Sequence, residues 1–113
     1  MWNPLENIDA LEPIARASQH KPQLLFKHST TCGISGHALH NVDAQHEALA
    51  AQIDLHLLDL LTYRNISNEI THRFAVAHQS PQAILLVDGE VVYHASHSAI
   101  DPAKILAALA AVS

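Results

Sequence analysis

The sequence predicts a mixed α/β sandwich, a four-stranded sheet flanked by helices, in a single domain over residues 1–113. Two observations carry this. Short apolar runs (Leu24-Leu25-Phe26, Leu55 to Leu61, Ala83 to Val87) alternate with stretches of helical periodicity, and strand–helix–strand connections imply parallel pairing. Asp88-Gly89 then stands between two strand-like runs as a two-residue hairpin signal, which makes the last pair antiparallel. At 113 residues, 49% of them hydrophobic, the chain can fill one core.

In chain order, Asn7 to Ser18 reads as a short amphipathic helix. Asp9 is the expected N-cap, Glu12 follows three residues later as in a capping box, and Pro13 falls early enough to be tolerated. Residues 19–23 form a linker, and Leu24 to His28 is the first strand, with Thr30, Thr31 and Gly33 marking its exit. A long helix follows from Cys32 or Gly33 to Ala51, weakened near residue 41 by Gly36, Asn41 and Asp43. Leu55 to Leu61 suits a strand covered on both faces. Ile66 to Val76 is the next helix, capped by Ser67, with Ile70, Phe74 and Ala75 inward. Ala83 to Val87 and Glu90 to Ala95 make the hairpin. Asp101 caps a last helix that has Pro102 at its first position and a stripe of Ile105, Leu106, Leu109 and Val112.

Composition excludes several classes. A net charge of −5 and six dispersed basic residues argue against nucleic acid as a partner. No apolar run approaches the ~20 residues of a membrane span, and Met1-Trp2-Asn3-Pro4 lacks a signal-peptide pattern, so the expected location is cytoplasmic. Ten histidines raise the question of metal. His37/His40 are spaced for half of a site, but His94 and His97 on a strand point to opposite faces, so no metal site is expected.

Cys32 is the only cysteine and stands where a strand turns into a helix, amid Thr, Thr, Gly and Ser. Unpaired backbone N–H groups and the positive end of the helix dipole favour thiolate there, and thiolate is the nucleophile. One cysteine allows no internal disulfide, so oxidation of Cys32 involves another molecule.

The element order, with cysteine at the first strand-to-helix junction and Ser80-Pro81 opening the hairpin, resembles the thioredoxin fold. In that fold a cis-proline loop lies beside the reactive thiol, and a cis bond before proline costs only about 0.5–1 kcal/mol. Four ordered motifs resemble the YtxJ-type monothiol bacilliredoxins, the bacillithiol system redox-active family: Phe26-Lys27-His28-Ser29-Thr30 with Cys32 and Ile34-Ser35, Arg64-Asn65-Ile66-Ser67-Asn68, His78-Gln79-Ser80-Pro81-Gln82, and Tyr93-His94-Ala95-Ser96-His97. The resemblance spans roughly residues 9–110 and departs at Gly33, where the family usually has proline.

The resemblance implies that Cys32 removes bacillithiol from protein mixed disulfides, with bacillithiolated proteins and a low-molecular-weight thiol as partners. Bacillithiol would serve as co-substrate, with no tightly bound cofactor. Ser35 stands where a two-cysteine oxidoreductase has its resolving thiol and is expected to hydrogen-bond the Cys32 sulfur or to cap backbone amides. Thr31, Gly33, Ser80 and Pro81 are expected at the substrate, with Lys27 and Arg64 meeting bacillithiol's carboxylates. His28 and His37 are candidates to tune the thiol. Two alternatives stay open. One is an iron–sulfur carrier of monothiol-glutaredoxin type, which one cysteine per chain could serve only with dimerisation and added thiols. The other is a thioredoxin-like binding module whose cysteine does not turn over.

Overall fold

The sheet is built outward from β2 (Gln23–His28), its central strand, buried along all but its last residue. A computed structural model provides this view and describes residues 2–31 and 33–112. On one side β2 pairs in parallel with β3 (Asp54–Asp59); on the other it pairs antiparallel with β4 (Gln82–Val87). The return strand β5 (Glu90–Ser96) completes the hairpin, and β1 (Asn3–Pro4) adds in parallel to the outer edge of β3, giving the order β1-β3-β2-β4-β5. Five strands correct the expected four. Two residues are too few to show periodicity, and Pro4 is tolerated because β1 lies at the sheet edge, where its missing N–H costs no ladder bond.

Five helices surround the sheet: α1 (Leu11–Ala17), α2 (Gly33–Asp43), α3 (His46–Ala50), α4 (Arg64–Phe74) and α5 (Pro102–Ala111). The long helix expected to Ala51 is broken between α2 and α3, just past the residues of poor propensity. Asp43, at the end of α2, accepts from the Trp2 indole N–H at 2.9 Å. Three capping expectations change. The first helix is opened by Asn7, whose side chain accepts from Asp9 N–H, and a 3-10 turn (Ile8–Ala10) precedes α1. Ser67 is not a cap but a buried residue inside α4, whose cap position is Tyr63. Ala75 is exposed and left-handed (φ 56°), ending α4 rather than facing inward. As expected, Asp101 accepts from Ala103 N–H and Pro102 opens α5, while Val112 lies past the helix and is exposed.

Strand alternation divides the core in two. Leu24, Phe26, Leu55, Ala83 and Leu85 face α2, α3 and α5, packing on Ala38, Val42, Leu49, Ile105 and Leu109. Leu25, Leu58, Ile84 and Leu86 face α1 and α4, against Leu11, Ile14, Ile66 and Ile70. Each fully buried Leu, Ile or Phe contributes about 1.5–3 kcal/mol relative to an exposed one. Three buried strand residues obey this alternation and are not apolar: Gln23 and Lys27 flank Leu25 on the α1/α4 face, and Gln82 lies directly opposite Lys27 in the β2–β4 register. The turn at Asp88 (φ 54°) and Gly89 (φ 78°) has the two left-handed residues that a tight hairpin requires. No helix among the described residues is long and apolar enough to cross a membrane.

Candidate functional site

The expected nucleophile, Cys32, lies outside the described residues, so the site is read from its neighbours in sequence and from the motifs that converge at the C-terminal end of β2. α2 begins at Gly33, with Gly33 and Ile34 exposed and Ser35 fully buried. Ser35 Oγ accepts from Ser29 N–H at 3.0 Å and lies 2.7 Å from His28 Nδ1. The first turn of α2 is thereby laced to the end of β2. Ser29 Oγ in turn meets Thr31 Oγ1 at 3.2 Å.

His28 is half-buried and stands opposite Asp59 in the β2–β3 register. Burial pulls its pKa below the ordinary histidine value, with the Asp59 charge and a hydrogen bond to the Ser35 backbone opposing that shift. The neutral ring has two tautomers with different consequences for Ser35, whose hydroxyl has a single proton. If Nδ1 accepts, that proton goes to His28; if Nδ1–H donates, the proton is free for another acceptor. The other candidate tuner, His37, is exposed on α2. It lines a cleft of about 390 Å³ with Gly33, Ile34, Asn41 and His97, whereas His28 lines one of about 320 Å³ with Thr30, Asp59 and Tyr63.

The remaining motifs join in a chain of contacts. Ser80-Pro81 is a cis peptide, with Ser80 half-buried and Pro81 buried. The Pro81 carbonyl accepts from His97 N–H at 3.1 Å, linking the last two motifs. Lys27 Nζ lies 3.3 Å from His78 Nδ1 and 3.4 Å from the Ser67 carbonyl, linking the first three. This corrects the expectation that Lys27 meets a ligand's carboxylates. Lys27 is 0% exposed, and burial lowers its pKa to about 8. Arg64, by contrast, is exposed at the start of α4, and its charge and that of Lys27 add to burial in lowering His78. Sequence reasoning missed Ser67, His78 and Gln82 as parts of this cluster. The available signal was the lysine inside the Leu24-Leu25-Phe26-Lys27-His28 run, a charge that strand alternation places on a covered face. Among the described residues, no group of three or more His, Cys, Asp or Glu is arranged to hold a metal.

A strand-to-helix turn carrying the chain's single cysteine, beside a cis-proline loop in this topology, defines a thioredoxin-fold thiol redox protein of the monothiol kind. Over residues 3–105 the sequence matches the family described as monothiol bacilliredoxin BrxC, and the chain belongs to that family. Among solved structures, a protein described as a candidate oxidoreductase with a thioredoxin fold superposes with a TM-score of 0.81 at 30% identity, over 94% of this chain and 91% of that one. Thioredoxin from Trypanosoma brucei brucei gives 0.78 at 12% identity, over 99% and 90%. Fasciola hepatica thioredoxin gives 0.76 at 13%, over the whole of both chains. The two thioredoxins share the fold.

Proposed function

We propose that this protein removes bacillithiol from protein mixed disulfides, with Cys32 as the nucleophile. The Cys32 thiolate attacks the bacillithiol sulfur. A new S–S bond joins Cys32 to bacillithiol, the old S–S bond breaks, and the target protein leaves as a thiolate. A second thiol, bacillithiol or another reductant, then attacks the Cys32 mixed disulfide and restores the free cysteine.

The observation that carries the reading is Ser35. The position three residues after Cys32 holds a buried hydroxyl committed to His28 and Ser29, so this chain has no resolving thiol of its own there. α2 begins at the residue after Cys32, and the positive end of a helix dipole favours thiolate over thiol. In this reading Thr31, Gly33, Ser80 and Pro81 border the bound disulfide, with the Ser80 backbone pairing to the extended substrate segment. Arg64 supplies an exposed charge for bacillithiol's carboxylates. No tightly bound cofactor is required. Incubation with a bacillithiolated protein, followed by intact-mass measurement of both partners, tests it. One bacillithiol should move to Cys32 and fail to move in Cys32→Ser; a target that keeps its modification overturns the reading.

A further inference from the structure

Lys27 has surroundings that demand an account. Its ammonium is enclosed on the α1/α4 face of the sheet, and among the described residues no carboxylate pairs with it. The titratable side chain it touches, His78, is itself cationic or neutral. Burying an amine this way costs free energy, and a Met of similar length would fill the same apolar space without that cost. What the amine gains is two acceptors on separate segments, the Ser67 carbonyl in α4 and Nδ1 of His78 in the loop before Pro81.

The second contact fixes chemistry as well as position. An ammonium donates and never accepts, so His78 Nδ1 must be the acceptor and the ring proton must reside on Nε2. His78 is exposed while its Nδ1 is turned toward the buried amine, which leaves an N–H donor on the outer ring edge. Directly across the β2–β4 register, Gln82 Nε2 donates to the Ala77 carbonyl at 3.1 Å. Two buried polar side chains, facing each other on adjacent strands, thus hold the same loop from beneath.

We propose that Lys27 is a positioning residue: it holds the 77–81 loop against α4 and locks His78 as the Nε2–H tautomer, presenting that N–H to an acceptor on the docked protein substrate. The substrate half of this rests on the exchange reading; the tautomer half stands without it. The test uses the full chain labelled with ¹⁵N. Long-range correlation spectra of the wild-type His78 ring at neutral pH should show the Nε2–H pattern. In Lys27→Met that preference should be lost and the ring should titrate closer to an ordinary histidine. Transfer of bacillithiol from a protein substrate should slow on the order of tenfold, as expected for one lost hydrogen bond to the substrate, after normalisation to the alkylation rate of Cys32 by iodoacetamide. An Nδ1–H ring in the wild type overturns the proposal, and that measurement decides it even if Lys27→Met does not fold. A ring unchanged by Lys27→Met, or unchanged normalised transfer, also overturns it. Failure of the wild type to accept bacillithiol counts against the exchange reading and leaves the ring measurement to decide the role of Lys27.

Discussion

The Ser35 hydroxyl and His28 Nδ1 lie 2.7 Å apart, joining the first turn of α2 to the last residue of β2. The same oxygen accepts from Ser29 N–H, so one buried atom satisfies two groups of the segment that leads to Cys32. Ser35→Ala leaves both without that partner, the half-buried His28 Nδ1 and the buried Ser29 N–H. The expected loss is about 1–3 kcal/mol, the cost of unsatisfied buried polar groups. Chemical denaturation checks it: the midpoint should fall at unchanged slope. A variant as stable as the wild type would mean that the hydroxyl is dispensable to the fold.

Acid should destabilise the protein through its histidines. Burial is the largest cause holding His28, His56 and His78 below the ordinary histidine pKa. His56 is further engaged by Gln23 Oε1 at 2.7 Å. Each folded-state value lies below its unfolded one, so as pH falls through about 6.5 the unfolded chain binds protons first. Stability is therefore full above that pH and declines below it. Unfolding free energies measured from pH 8 to 5 should show this fall, and His56→Gln should make it shallower. A flat profile would contradict the burial argument.

How much of this was legible beforehand divides along physical lines. The apolar runs, the Asp88-Gly89 turn and the Asp101-Pro102 cap are local signals, and the structure follows them. Ser80-Pro81 and Cys32 could be picked out because residue type alone restricts what they do. Lys27 is expected from the sequence to meet bacillithiol's carboxylates because a lysine is usually exposed, although Phe26 beside it in β2 is buried and His28 half-buried. Its partners Ser67 and His78 lie 40 and 51 positions away, beyond the reach of any local pattern. β1 was missed for the complementary reason: two residues carry no period, and only the neighbouring β3 makes them a strand.

Alkali should act in the opposite sense on Lys27. Its folded pKa is near 8, against about 10.4 for an unfolded lysine. Between those values the unfolded chain holds the extra proton, so raising the pH favours the folded state. The gain is at most about 3 kcal/mol, at 1.36 kcal/mol per pK unit. Stability of the wild type should rise relative to Lys27→Met between pH 8 and 10. Parallel profiles for the two proteins would show that the amine titrates normally and is not enclosed.

Gly33 is where this chain departs from the family signature, which carries proline. The residue opens α2, where the backbone N–H has no partner within the helix and a fixed φ near −65° is already suitable. A Cβ built on Gly33 meets nothing within 4 Å, and the residue is not in the left-handed region. Gly33→Pro is thus compatible with the folded state and removes freedom from the unfolded chain. It should stabilise the protein by about 0.4–1 kcal/mol. A higher thermal midpoint with unchanged far-UV dichroism is the expected outcome. A lower midpoint would mean that the turn into α2 uses a conformation or an N–H bond that proline cannot supply, making Gly33 a requirement of this chain rather than a tolerated departure.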